Sequence, residues 1–460
     1  MALRYVCVLV LAAVLLLGVV STPKGLKDKE PQRAPRIPPH FSQEESFRMK
    51  ETLKGAIQIP TVSFSPGESN VTALAEFGEY IYKAFPTVFK TGFIQHEVVG
   101  EYSHLFTVQG SDPSLQPYML LSHIDVVPAP EQGWEVPPFS GLEHDGFIYG
   151  RGTLDNKNSA MAILQALELL LIRNYIPRRS FYISLGHDEE VSGTNGAQKI
   201  SALLQARGVQ LAFIVDECGF ILDGFIPSIT KPFALLERAT MPSMFGSEPL
   251  RMTLQQLANE FSFPTNIIMN NLWLFGPLVR RSMESEPITN ALVRTTMAVT
   301  MFQAGIKVNV IPAVAQAVVN FRIHPAQTVR EVLELAKNIV ADDRVQFHVL
   351  NTFDPMPPSP YDDQALGYQL IRQTLQSLFP EVSIVPGICI GQTDSRHYSN
   401  LTSGIYRFNP LYAQPQDFRS IHGINEKISV KVYRTQVKFI FEFIQNADAD
   451  QRPVSHLHEL

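Results

Sequence analysis

The sequence predicts an α/β fold in which helices cover a largely parallel β-sheet. Short apolar runs typical of buried strands alternate with longer segments whose apolar residues recur at helical spacing. The alternation stops near residue 236 and resumes near residue 313, which indicates one domain interrupted by an insertion. The 460 residues are enough to bury the cores of two such units.

The composition excludes several classes of protein. Hydrophobic residues make up 45% of the chain and charged residues 18%, which argues against a disordered chain. The 38 basic and 44 acidic residues give a net charge of −6, which offers no basic surface for nucleic acid. Three cysteines cannot staple a chain of this length, so its stability must come from packing.

The N-terminus has the form of a secretory signal peptide. Arg4 precedes an unbroken apolar run over residues 5–20, and small residues follow it. The run is shorter than the ~20 residues that a helix needs to span a bilayer, so we predict a signal peptide at 1–22 and a secreted, extracellular protein. The alternative is an uncleaved anchor. No second long apolar run follows, so we expect no stable membrane span.

Three further expectations accompany secretion. Residues 23–41 hold five prolines without periodicity and are predicted to form a flexible leader. Asn70 and Asn400 begin N-glycosylation sequons. Cys218 and Cys389 remain after cleavage, and the sequence leaves open whether they pair or stay separate thiols.

The first half of the main domain, at 42–236, begins with two predicted helices. Ser42 and Glu45 form a capping box for the first, and Leu74, Phe77 and Ile81 recur at helical spacing in the second. Alternating elements follow. We predict strands at 94–99, 105–108, 118–122, 181–185 and 211–215, and helices at 158–173 and 201–207.

The insertion at 237–312 is rich in methionine and predicted to be largely helical, including residues 254–261 and 291–302. The main domain returns at 313–450, and residues 451–460 form a tail. In this second half we predict strands at 314–323, 345–350, 383–390 and 404–408, and helices at 328–340, 364–378 and 430–445.

Acidic and histidine residues follow the predicted strands, where open α/β sheets bind their ligands. His123 and Asp125 are two residues apart, a spacing that points both side chains to one face of an extended chain. Asp155 follows a glycine-rich turn. The remaining candidates are Glu189, Glu190, Asp216, Glu217 and His422.

These residues predict a metal site. One acidic residue at a strand end is commonly solvated or caps a helix. Several carboxylates in one crevice would repel one another without cations, and Zn²⁺ binds both histidine nitrogen and carboxylate oxygen.

Three motifs also resemble those of the aminoacylase/carboxypeptidase family of co-catalytic zinc hydrolases: LSHIDVVP at 121–128, GRGTLD at 150–155 and DEE at 188–190. From about Phe41 onward, the chain is most similar to the secreted branch of that family that acts on N-fatty-acyl amino acids. The resemblance implies a zinc-peptidase-like layered domain interrupted by an α+β lid.

The resemblance also implies the ligand set. Two zinc ions would be bridged by Asp155, with His123 and the acid at 216 or 217 completing one site and Glu190 and His422 the other. Both acids abut the motif, so the choice stays open, with Asp216 preferred.

The resemblance assigns roles to three more residues. Glu189 would be the general base, and Asp125 would orient His123. Arg396 lies in a segment resembling the one that receives a substrate carboxylate, although a surface salt bridge is the alternative. The implied reaction is amide hydrolysis of N-acyl amino acids, and its reverse would condense fatty acids with amino acids.

The lid departs from the family pattern. The family lid carries a histidine that stabilises the tetrahedral oxyanion, often across a homodimer formed through the lid, but no histidine occurs between His187 and His324. Asn156 and Cys218 stand where the family commonly has aspartate and glycine. The shortened lid predicts an impaired zinc amidohydrolase. The alternatives are a non-catalytic zinc protein that binds N-acyl amino acids or a full-length partner, and a secreted dipeptidase.

Overall fold

The computed structural model describes residues 36–222, 233–237, 253–285, 293–305, 307, 309, 311–324, 327–356, 359–387, 391, 393–414 and 417–449. The predicted signal peptide and the predicted tail at 451–460 lie outside these residues. Within them, no helix is both long and apolar enough to cross a membrane.

The order of the elements is that of an α/β protein. The helices are α1 (Gln43–Gln58), α2 (Val71–Ala84), α3 (Pro86–Lys90), α4 (Lys157–Ile172), α5 (Ala197–Ala206), α6 (Thr265–Asn270), α7 (Leu272–Ser285), α8 (Val329–Val340), α9 (Leu366–Leu378) and α10 (Val430–Ala449). The strands are β1 (Ser63–Ser65), β2 (Glu68–Ser69), β3 (Ile94–Val99), β4 (Ser103–Val108), β5 (Tyr118–His123), β6 (Glu143–His144), β7 (Phe147–Tyr149), β8 (Phe181–Gly186), β9 (Ile214–Asp216), β10 (Ile221–Leu222), β11 (Phe233–Glu237), β12 (Thr296–Ala304), β13 (Ala315–Arg322), β14 (Ser383–Gly387), β15 (Ile405–Arg407), β16 (Tyr412–Ala413) and β17 (Lys427–Ser429).

The central sheet has six strands in the order β15-β9-β5-β8-β4-β3. The strands from β15 to β8 are parallel, and β4 and β3 extend the sheet in antiparallel fashion. This confirms the prediction of a largely parallel sheet. His123 pairs with Gly186 and Arg407 with Asp216, so the carboxyl ends of neighbouring strands coincide.

Helix α4 is the central helix of the core. Every residue from Lys157 to Leu171 is buried, because α4 packs against α10 on one side and against β5 and α1 on others. A largely apolar helix is expected in such a position. The Tyr118 ring of β5 stacks between Phe181 and Phe213, with 5.1 Å between ring centroids on each side.

A small sheet brings two distant turns together. Strand β17 pairs with β7, placing Lys427 opposite Tyr149, and β7 pairs with β6. The glycine-rich turn after Tyr149 therefore lies beside the segment before Lys427. A further sheet has the order β14-β11-β10-β16.

The predicted insertion contains a strand where a helix was expected. Residues 291–302 were predicted to be helical, but β12 covers 296–304 and pairs with β13 in an antiparallel ladder. Its side chains are largely exposed on both faces, so no burial pattern distinguishes strand from helix in this segment. The predicted boundary at 313 falls between these paired strands and would split their sheet. Residues 345–350, predicted as a strand, are not in one.

The leader ends earlier than predicted. Ile37 exchanges hydrogen bonds with the Gln445 side chain, and the ring of Phe41 packs edge-on against Phe441 of α10. The Ile37 backbone hydrogen bonds and the packing of Ile37 and Phe41 against the core hold this segment in place, despite the prolines around it. The capping box of α1, by contrast, is present as predicted from Ser42 and Glu45.

Candidate active site

Asp155 lies between two histidines from different parts of the chain. Its Oδ1 is 3.0 Å from Nε2 of His123, the last residue of β5. Its Oδ2 is 3.0 Å from Nε2 of His422, in the loop before β17. Asp155 itself ends the glycine-rich turn after β7. One carboxylate therefore offers one oxygen to each histidine, as a bridging ligand would.

Glu217, and not Asp216, joins this cluster. Glu217 Oε1 is 3.3 Å from His123 Nε2. The Asp216 carboxylate instead accepts hydrogen bonds from the Thr393 hydroxyl at 2.5 Å and the Ser395 backbone N–H at 3.2 Å. The geometry therefore favours Glu217 over the preferred sequence choice, because consecutive residues leaving a strand point to opposite sides.

Glu189 and Glu190 enter from the short 3₁₀ turn after β8. Glu190 Oε2 is 3.2 Å from His422 Nε2, and its buried Oε1 has no hydrogen-bond partner among the described residues. Within the described part of the chain, two groups have ligand atoms within 4.8 Å of one another and could hold a metal ion: His123, Glu189 and Glu217, and His123, Asp155 and Glu190.

Asp125 holds the two strand ends together. Its carboxylate accepts the backbone N–H groups of Glu189 at 3.1 Å and Glu190 at 3.2 Å. His123 Nδ1 lies 2.9 Å from the Asp125 carbonyl oxygen and 3.3 Å from its carboxylate. An N–H on Nδ1 leaves the Nε2 lone pair directed at the cluster, which is the orientation that a metal ligand requires. Asp125 thus contacts both the histidine and the glutamate pair.

The cluster carries an excess of buried negative charge. Burial raises the pKa of Glu189 well above its usual range, and Asp394 and Glu217 raise it further. Burial also raises the pKa of Glu190, and that of Glu217 to about 8. Burial would lower the pKa of His123, but Glu217 and the other carboxylates around it raise it well above its usual range. Cations would relieve this repulsion, so the donor set fits metal ions.

Asp394 is a neighbour that the sequence did not single out. It is almost fully buried, and neither carboxylate oxygen has a hydrogen-bond partner among the described residues. A Cβ at Gly186 or Gly193 would clash with these oxygens, so only glycine leaves room for Asp394 there. Burial raises its pKa well above the usual range. The sequence feature that could have pointed to Asp394 is its position in the same segment as Arg396.

Arg396 lies on a 3₁₀ turn, Asp394–Tyr398. Its guanidinium carbon is 4.9 Å from the ring centroid of Phe353, and its buried Nη2 has no partner among the described residues. One face of the Arg396 guanidinium therefore packs against Phe353, and its Nη2 is free to donate. This arrangement differs from the surface salt bridge that was the alternative.

Asn156 is also buried, and its side-chain amide has no partner within the described parts of the chain.

The two sequons differ in their surroundings. Asn70 caps α2, since its Oδ1 accepts from the Ala73 N–H and its Nδ2 donates to the Pro60 carbonyl oxygen at 3.1 Å. Asn400 is exposed.

Cys218 is disulfide-bonded, and the chain's other two cysteines lie outside the described residues.

The family is decided by a comparison with known sequences. Residues 119–446 match the model for peptidase family M20/M25/M40. The chain belongs to this family. The M20 fold is also seen in solved structures: an M20 metallo-carboxypeptidase of Sulfolobus solfataricus is 17% identical with a TM-score of 0.60, covering 88% of this chain and 100% of that one. Human carnosine dipeptidase 1 is 17% identical with a TM-score of 0.57, covering 88% and 97%.

Two M20 relatives are much more similar in sequence. The N-fatty-acyl-amino acid synthase/hydrolase PM20D1 of Bos taurus is 69% identical, and that of Homo sapiens is 66% identical, each over the full length of both chains. Each alignment spans 503 positions, whereas this chain has 460 residues, so about 43 positions have no counterpart here.

Proposed function

We propose that this chain is a metal-dependent amidohydrolase that splits N-fatty-acyl amino acids into fatty acid and amino acid and also catalyses the reverse condensation. The observation that carries the proposal is the placement of the Asp155 carboxylate, which has one oxygen beside His123 and the other beside His422. Glu189 lies beside His123. The substrate class comes from relatives at 65–69% identity that are named N-fatty-acyl-amino acid synthase/hydrolase.

The metal assignment is two zinc ions. His123, Asp155 and Glu217 would hold one, and Asp155, Glu190 and His422 the other, a mixture of nitrogen and carboxylate donors suited to zinc. When bound, such a pair polarises the amide carbonyl and makes water a stronger nucleophile at neutral pH.

The general base would be Glu189. Its carboxylate takes a proton from the attacking water, the water oxygen bonds to the amide carbon, and the C–N bond breaks as the proton passes to the leaving nitrogen. The contact between Asp125 and the Glu189 backbone N–H fixes the base relative to His123. In the reverse direction, the amine nitrogen bonds to the fatty-acid carboxyl carbon, Glu189 takes a proton from that nitrogen, and the C–O bond breaks as the proton passes to the departing oxygen, which leaves as water.

Arg396 would bind the carboxylate of the amino acid. Its Nη2 has no partner among the described residues, and Phe353 covers one face of the guanidinium. A guanidinium fork with a free edge suits bidentate recognition of a carboxylate.

Secretion is also part of the proposal. It is supported by the signal-peptide pattern at 1–22, by the exposed Asn400 sequon and by the disulfide at Cys218, since disulfides persist mainly in oxidising compartments.

The predicted lid affects two expected properties, the turnover rate and the oligomeric state. No histidine lies between His187 and His324, so we expect the oxyanion donor to be absent, which typically lowers turnover by about 10²–10³. The 43 alignment positions without a counterpart in this chain are consistent with a shortened lid. Met297, Met301 and Phe302 on β12 are more than half exposed, which supports a homodimer through the lid.

The test is release of free fatty acid from an N-acyl phenylalanine by the purified, zinc-loaded full chain. We expect activity that Glu189→Gln abolishes and Glu76→Gln, an exposed control on α2, leaves unchanged. Activity no greater than that of Glu189→Gln, or faster cleavage of a dipeptide, would contradict the proposed function.

A further inference from the structure

We propose that Arg151 and Glu426 form a positioning pair that sets the distance between Asp155 and His422. The two candidate ligands lie on separate segments, and this buried ion pair is bonded to both segments. The inference rests on the proposed function, because it concerns how that metal centre is held.

Glu426 organises the turn that carries Asp155. Its Oε1 accepts backbone N–H groups from Gly152 at 3.1 Å, Leu154 at 2.7 Å and Asp155 at 3.2 Å. Its backbone carbonyl also accepts the Gly150 N–H at 2.8 Å. Three donors within four residues converge on one carboxylate oxygen, so the path of the turn depends on that oxygen.

Arg151 connects this turn to the His422 loop. Its Nη1 donates to Glu426 Oε2 at 2.6 Å, and its Nη2 donates to the carbonyl oxygen of Gly423 at 2.7 Å. His422, immediately before Gly423, has a φ of 58°, in the left-handed region that a side-chain-bearing residue adopts only when its surroundings hold it there. The guanidinium therefore bonds directly next to a strained candidate ligand.

Stability alone does not account for this buried ion pair. The side chains of Arg151 and Glu426 are 3% and 0% exposed, and taking two charges out of water can cost more than their attraction returns. Bridging by Asp155 requires its two oxygens to face two histidines at once, a geometry that must be held within about 0.5 Å. A small shift of the turn would therefore disturb both metal positions together, unlike the loss of a ligand that serves only one of them.

Two substitutions test the inference, and a third serves as a matched control. Glu426→Gln removes the charge that faces Arg151, and Arg151→Lys keeps the charge but cannot reach both acceptors. The control is Asp448→Asn, because Asp448 likewise accepts two backbone N–H groups, those of Arg178 and Arg179 at 2.8 Å each, at the far end of α10.

The readouts are zinc affinity by chelator competition, zinc stoichiometry, melting temperature with and without zinc, and kcat and KM. For Glu426→Gln we expect affinity at both zinc sites to fall about 10–100-fold, with kcat falling and KM changing little. Arg151→Lys should show a smaller loss of the same kind. Asp448→Asn should lower the melting temperature and leave zinc affinity unchanged.

The contradicting result is wild-type zinc affinity in both Glu426→Gln and Arg151→Lys, with only a lowered melting temperature. If Glu426→Gln does not fold, Arg151→Lys alone decides between these outcomes. Wild-type protein that binds fewer than two zinc ions would instead overturn the proposed function, so the two failures are distinguishable.

Discussion

The opposite roles of Asp216 and Glu217 can be tested by replacing each with its amide. Glu217 Oε1 faces His123, whereas the Asp216 carboxylate is buried against Thr393 and Ser395. Neutralising the two carboxylates should therefore affect different properties of the protein.

For Asp216→Asn we expect a loss of stability. Its carboxylate accepts two hydrogen bonds, and a bond to a charged group contributes about 1.5–3 kcal/mol, of which an amide oxygen retains part. We therefore expect a loss of about 2–4 kcal/mol. At about 2 cal/mol/K of unfolding entropy per residue, a chain of this size should melt roughly 2–4 °C lower. Zinc affinity should change little.

For Glu217→Gln we expect the reverse. Burial raises the pKa of Glu217 to about 8 in the metal-free protein, so its charge is unfavourable there and the neutral amide should leave the metal-free melting temperature unchanged or higher. The zinc-loaded protein should lose one ligand and bind less zinc. The assay is scanning calorimetry of metal-free and zinc-loaded protein, with zinc counted by mass spectrometry. Loss of zinc from Asp216→Asn together with full zinc in Glu217→Gln would refute this reasoning.

Three further predictions concern residues around the site and the surface. Burial, with His96 and His187 adding to it, lowers the pKa of His104 to about 3. The unfolded chain then binds the extra proton between pH 6.5 and 3, so His104 should cost about 3 kcal/mol of stability near pH 4.5, and His104→Phe should flatten the measured dependence of unfolding free energy on pH. Phe353→Leu removes a cation–π contact worth about 0.5–1 kcal/mol, so KM for N-acyl phenylalanine should rise about 2–5-fold with kcat retained; an unchanged KM would argue against Arg396 as the carboxylate site. Asn400→Gln should lower the mass of the secreted protein by one glycan, and an unchanged mass would contradict glycosylation there.

The sequence predicted those helices and strands in which buried apolar residues recur at the spacing typical of the element. The Ser42 capping box and the apolar spacing of Leu74, Phe77 and Ile81 both correspond to observed helices. Strand β12 was missed because both its faces are exposed, so its apolar residues follow no two-residue burial pattern. Residues 36–41 were included in the leader predicted at 23–41 because that proline-rich segment has no periodicity, which does not reveal the contacts of Ile37 and Phe41 with α10.

The sequence predicted which strand ends and turns carry the residues of the site. His123, Asp155, Glu190 and His422 were named from their places after strands and turns. They form a chain of contacts in which Asp155 touches both histidines and Glu190 touches His422. The choice between adjacent acids after β9 was not predictable, because it depends on which face of the strand turns inward. The pairing of Arg151 with Glu426 joins residues 275 positions apart, which the β7–β17 ladder brings together in the fold.

The most direct test of the central claim is the number of zinc ions bound by the purified full chain and by Asp155→Ala, measured by mass spectrometry. A carboxylate shared between two metal positions predicts two zinc ions per wild-type chain and loss of both, or of nearly all affinity, in Asp155→Ala. The exposed control Asp343→Ala should still bind two. Two tightly bound zinc ions in Asp155→Ala, or fewer than two in the wild type, would contradict a bridged two-metal centre.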